Sequence, residues 1–201
     1  MIKVTESLLH WNYFLALESD LENLSRFIEF SENNFRTYSI ELAHLLLASA
    51  SEIDVVAKEI CELLAPSEEA KNINEYRSII TRDLPELSRE KVFVPRYGLV
   101  LDPWKNWHKK EPENPSWWQS YNQVKHERND HFEEANLKNV LNSMGGLLVM
   151  VFYFYKLRLT QSDPNTFRLK SEVIRKLQPE SSFIRLSENY YPSHILAENK
   201  F

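Results

Sequence analysis

The densest run of polar and aromatic side chains in the sequence is Trp117-Trp118-Gln119-Ser120-Tyr121-Asn122-Gln123-Val124-Lys125-His126-Glu127-Arg128-Asn129-Asp130-His131. Lys125, His126, Arg128 and His131 suit metal-free cleavage of a phosphodiester. That reaction needs one group to move a proton from the ribose 2′-hydroxyl, and cations to stabilise the charge on the phosphorane. A histidine titrates near neutral pH, and lysine and arginine supply fixed positive charge. The plainer reading is that Arg128 is a structural ion-pair residue and the two histidines lie on a solvated helix face.

A single helix through this run would rotate about 100° per residue. Trp117, Tyr121, Val124, Arg128 and Ala135 would then share one stripe, which puts Arg128 where the pattern wants an apolar residue. Asn122, Lys125 and His126 would share a neighbouring face, and His131 would lie one turn beyond Arg128. A buried guanidinium is costly unless paired. Glu41 or Glu52, at the edge of an upstream apolar stripe, could supply the partner as structural support. Ser116-Trp-Trp-Gln119 fits a capping box, and so does Asp130-His-Phe-Glu133. The second box predicts a break near residues 127–129 and a long helix from 131 to about 158.

The elements that must position these residues are mostly helical. Tyr13, Leu17, Leu21, Leu24 and Ile28 give residues 6–30 the three-and-four spacing of an amphipathic helix. Residues 37–64 repeat it with Leu42, Leu45, Leu46, Ser49, Ile53, Val56, Ile60 and Leu63. Thr37 is the expected cap, and Ala65-Pro66 the stop. A third helix is expected over 68–82. Lys91-Val-Phe-Val-Pro95 and Leu99-Val-Leu101 are short β-type runs around Tyr97-Gly98. Beyond them, Trp104 and Trp107 among Pro103, Pro112 and Pro115 indicate an ordered loop. The expected fold is all-α: a multi-helical bundle over 1–160 with a small β or extended insertion around 91–102. Residues 161–201 would form an extension that packs on the bundle or hangs free.

Composition narrows the function classes. The 201 residues are 43% hydrophobic and 26% charged, as in an ordinary globular chain. Only three glycines occur, against roughly 7% in average usage, which disfavours glycine-rich phosphate loops and dinucleotide-binding turns. One cysteine excludes an internal disulfide framework and a zinc ribbon. A net charge of −5 argues against indiscriminate nucleic-acid binding, although a local cationic cluster can still hold phosphate. The N-terminal stretch lacks a basic region and is interrupted by His10, Asn12 and Glu18, so a cytoplasmic protein without a signal peptide is expected. The run Gly145 to Tyr155 is shorter than the roughly 20 residues a bilayer requires, so it is expected in the core and not in a membrane.

Other chemistry is less well supported. His126, Asp130 and His131 could ligate a metal, but no HExxH or paired Cys/His spacing backs a metal site. Trp104, Trp107, Trp117 and Trp118 could stack bases, although such clusters more often staple a loop to a bundle. No nucleophile elbow accompanies a Ser-His-Asp set. Cys61, beside Glu59 and Glu62, is a packing residue.

Two segments carry a family resemblance. Tyr38-Ser39-Ile-Glu41 through Ser51-Glu52-Ile-Asp54-Val-Val-Ala-Lys58 resembles the multi-helical HEPN superfamily. So does Trp117-Trp118-x-x-Tyr121-Asn122-x-x-Lys125-His126-x-Arg128 followed by a long apolar helix. The resemblance spans roughly residues 6–158 and points to a bacterial branch. It implies a helical bundle, commonly dimeric, of the kind that often acts as a metal-independent endoribonuclease in toxin–antitoxin, RNA-processing or anti-phage systems. It implies no cofactor. RNA, a second copy of the chain and an antitoxin or other defence-system protein are the implied partners. Active members place four to six residues between an arginine and a following histidine, whereas only two separate Arg128 from His131. Arg128 with His131, or with His126 from the preceding turn, would form the catalytic set, and Tyr121, Asn122 and Lys125 would contact RNA. A non-catalytic interaction module with a degenerate motif is the alternative.

Overall fold

The computed structural model describes residues 7–191, apart from the Arg168 side chain. Residues 1–6 and 192–201, which the expected bundle and extension include, lie outside the described residues. Six α-helices are present among the described residues: α1 Leu9–Leu24, α2 Ile40–Leu64, α3 Ile73–Asp83, α4 Ser116–His126, α5 Leu137–Ser162 and α6 Lys170–Lys176. The small sheet has the order β2-β1-β3, with β1 Val92–Val94, β2 Leu99–Leu101 and β3 Arg185–Leu186. Both pairings are antiparallel, with Val92 opposite Leu101 on one side and Leu186 on the other. The mostly helical, all-α expectation and the short β insertion therefore hold.

The centre of the bundle is α5. It is long and apolar enough to cross a bilayer, with a mean hydropathy of 1.4, but 83% of its most apolar window is buried in the protein. Its apolar surface is used by the core. Helix α2 packs along it, and the Ser49 and Ser143 hydroxyls meet at 2.6 Å where the two helices approach. Small side chains permit the approach, and the hydroxyls satisfy each other and the Leu45 carbonyl.

Helix boundaries follow side-chain caps, not always the expected ones. Ser39, not Thr37, caps α2, its hydroxyl accepting the Leu42 N–H at 3.1 Å. Asn72 caps α3 by accepting from Asn74 and Glu75, so that helix starts later than residue 68. In α1 the inward residues are Trp11, Phe14, Leu17 and Leu21, while Tyr13 faces outward. The helix ends at Leu24 instead of reaching residue 30.

The Ser116–Gln119 capping box does not form, because Pro115 occupies the cap position and no side chain caps α4. The Asp130–Glu133 box does not start α5 either. Asn136 caps that helix, accepting the Asn139 N–H at 3.1 Å. Tertiary bonds fix this start: Leu137 N–H donates to the Thr37 carbonyl and Lys138 N–H to that of Phe35. Residues 127–136 are therefore turn and a single 3₁₀ turn at Phe132–Glu134.

The described part of the extension is packed onto the bundle. The Trp11 indole N–H donates to the Pro179 carbonyl at 3.0 Å, and Lys170 bonds Glu90 at 2.8 Å. Tyr153 donates to the same Glu90 oxygen at 2.7 Å. Burial pushes the Tyr153 and Tyr190 phenols in this cluster well above their ordinary range.

Candidate functional site

Helix α4 stops at His126 because Glu127 leaves helical geometry, with φ −134° and ψ 42°. The break expected near residues 127–129 is therefore present, and no single rotation runs from Trp117 to Ala135. Arg128 is not on a buried stripe but exposed in the connection that follows. It makes no ion pair with Glu41 or Glu52. Glu52 is instead bonded to His10 Nδ1 at 2.6 Å, and His10 Nε2 lies 3.3 Å from Glu59. Glu41 stands 3.8 Å from His44 Nδ1, one turn along α2.

The remaining residues of the run divide by burial. Tyr121 is buried, and Lys125 places its ammonium 5.3 Å from the Tyr121 ring centre. Lys125 and His126 are exposed at the end of α4, with no side-chain hydrogen bond or ion pair among the described residues. Asn122 is half-buried beside them. His131 Nε2 lies 3.4 Å from Glu127, so its ring is already engaged by a carboxylate. The connection thus brings Lys125, His126 and Arg128 to one end of α4, while holding His131 on an acidic neighbour.

Arg128 lines a cleft of about 440 Å³ together with Ile40, Ala43, His44, Asn129 and Phe132. A second cleft of about 440 Å³ lies between α1 and α2, lined by Asp20, Asn23, Leu24, Phe27, Glu41 and His44 among others. His44 borders both. Phe27 is 81% exposed and Ile40 64%, so the two clefts carry apolar surface beside the charged groups. The Tyr38 and Phe132 rings meet edge to face at 5.5 Å on the rim.

The tryptophans are closed to ligands. Trp104, Trp107, Trp117 and Trp118 are all buried, with Trp117 N–H donating to the Pro103 carbonyl and Trp104 N–H to that of Gly146. They staple the 102–115 loop to α4 and α5, and neither stack bases nor offer surface to a partner. Cys61 is likewise a packing residue, its thiol pushed up to about 12 by burial. Among the described residues no group of three or more His, Cys, Asp or Glu side chains is placed to hold a metal ion.

No family model, curated protein or solved structure matches this chain. The functional reading therefore rests on its own residues. His44 is the residue that sequence reasoning missed. Its only signal was the Glu41–His44 spacing of three, which sets a carboxylate beside an imidazole on a helix surface.

Proposed function

We propose that the protein is an HEPN-type, RNA-directed helical protein of the bacterial cytoplasm, acting as a metal-independent endoribonuclease in a defence or toxin–antitoxin system. The observation that carries this reading is Arg128. Its guanidinium is exposed in a cleft, unpaired among the described residues, with Lys125 and His126 nearby at the end of α4. An arginine freed from structural duty beside an apolar and aromatic rim is suited to a phosphodiester.

In this mechanism a histidine removes the ribose 2′-hydroxyl proton, and the 2′-oxygen attacks the adjacent phosphorus. The bond to the 5′-oxygen breaks, and the imidazolium returns the proton to that leaving oxygen. The products are a 2′,3′-cyclic phosphate and a 5′-hydroxyl. Arg128 and Lys125 stabilise the phosphorane oxygens, and the family resemblance assigns the proton transfer to His126 or His131. Two copies of the chain would pair, so that two modest cationic clusters serve one RNA without a basic protein overall.

The test is RNA cleavage in EDTA. Wild type should cut, and Arg128→Ala should lose on the order of a hundredfold or more, the usual cost of removing a transition-state hydrogen-bond donor. Activity that depends on added metal overturns the mechanism. A second reading, a non-catalytic interaction module, is favoured by the His131–Glu127 pair at 3.4 Å and the short arginine-to-histidine spacing. RNA binding without cleavage would select it.

A further inference from the structure

Resting on the RNA reading above, we infer that His44 is the proton-transferring residue and that its two flanking clefts hold a single-stranded RNA across it. His44 is the one imidazole lining the cleft that contains Arg128, although one residue lies on α2 and the other in the connection after α4. Neither His126 nor His131 lines that cleft. Glu41 lies 3.8 Å from Nδ1, beyond hydrogen-bond distance, and Nε2 has no partner among the described residues.

The two clefts differ in charge, which sets where the phosphate sits. Asp20 and Glu41 make the α1–α2 cleft hostile to phosphate. Phe27 offers that cleft an exposed ring for stacking, and Asn23 and Asp20 offer hydrogen-bonding groups to a base edge. The other cleft carries Arg128 for the phosphate and Phe132 for the following nucleotide. Each cleft, at about 440 Å³, falls in the roughly 300–1,000 Å³ range of small-ligand sites. Because His44 borders both clefts, a strand with one base in the first cleft and its 3′-phosphate against Arg128 would bring its 2′-hydroxyl to His44. A duplex, whose bases are already stacked and paired, could not supply that base.

The experiment uses the full chain, EDTA, and a short fluorescein-labelled single-stranded RNA of mixed sequence, read by anisotropy for binding and by gel for cleavage. His44→Ala should bind within about threefold of wild type yet cleave about a hundredfold more slowly, the scale of a lost general acid–base group. Free imidazole should restore part of that rate, which a merely structural role would not predict. Phe27→Ala should weaken binding, and the matching duplex should compete poorly. If His44→Ala cleaves normally while His126→Ala or His131→Ala is dead, the assignment to His44 is overturned and the RNA reading stands. If wild type neither binds nor cuts the strand, both fall together.

Discussion

The carboxylate of Glu18, on α1, accepts the backbone N–H of Ile184 at 2.8 Å, across 166 positions of chain. The same oxygen accepts from the Phe183 N–H at 3.0 Å and the Ser181 hydroxyl at 2.8 Å. One buried side chain thus anchors the extension to the bundle. Burial raises the Glu18 pKa above the ordinary carboxylate value, against the lowering pull of these donors. A raised folded-state pKa means the group contributes most below its unfolded value, and that contribution is lost as pH rises through the folded one. Wild-type stability should therefore fall from acid toward neutral pH relative to Glu18→Gln, whose difference from wild type should track that window. Thermal melts of both proteins across pH will show it, and parallel curves would exclude the linkage. Glu18→Ala should be worse at every pH, since each stranded buried donor costs about 1–3 kcal/mol.

How legible this arrangement was in the sequence depends on the range of the forces involved. The apolar stripe from Leu42 to Ile60 and the buried run Gly145 to Tyr155 were readable, because local periodicity reports a core face directly. The burial of the four tryptophans followed from their position between prolines and a helix start. The start of α5 was not readable. The sequence offers Asp130–Glu133 as a local cap, but backbone bonds from Leu137 and Lys138 to Thr37 and Phe35 select Asn136 instead. The exposure of Arg128 followed from the same event, since ending α4 at His126 removes the rotation that would have buried it. Glu18 was read only as a polar break in the N-terminal stretch; nothing local reveals a turn at 181–184 as its partner.

Exposure of Arg128 fixes the next expectation. With no buried ion pair to lose, Arg128→Met should change stability by no more than about 0.5 kcal/mol, as surface substitutions generally do. A partly buried hydrogen-bonded pair lies instead at His10 and Glu52, 2.6 Å apart. His10→Ala should cost about 1–3 kcal/mol by stranding a half-buried carboxylate. Urea denaturation of His10→Ala, Glu52→Gln and the double variant should give a coupling of about 0.5–3 kcal/mol. Additive effects would show that the two side chains do not interact.

Two glycines should respond to alanine for different reasons. At Gly146 a Cβ would meet the Trp117 ring at 3.2 Å and the Trp104 ring at 3.4 Å, inside a cluster of indoles with little room to shift. Helix propensity favours alanine by up to about 1 kcal/mol, but overpacking costs about 1–3 kcal/mol, so Gly146→Ala should destabilise and perturb the near-ultraviolet tryptophan signal. Gly98 has open space around it but a φ of +62°. Gly98→Ala should cost about 1 kcal/mol through backbone strain alone, with that signal unchanged.

The proposed pairing of two chains must use surface other than the tryptophan loop, because Trp104 and Trp107 are buried in their own bundle. Leu9 and Tyr13 are exposed apolar side chains that a second copy could cover. They lie one turn apart on α1, both exposed, and neither lines the clefts that Phe27, His44 and Arg128 line, although Leu17, one turn beyond Tyr13, does. Two apolar side chains at this spacing on each copy can meet across a two-fold axis, the commonest oligomeric arrangement. Light scattering at micromolar concentration should give a mass near twice the 23.9 kDa of one chain. Leu9→Asp with Tyr13→Asp should return it to the single-chain mass with little change in melting temperature, since neither residue is buried. A wild-type mass of one chain would remove the pairing from the proposal while leaving each cleft, complete within one chain, to be tested alone. A dimer that survives the double change would move the interface elsewhere on the surface.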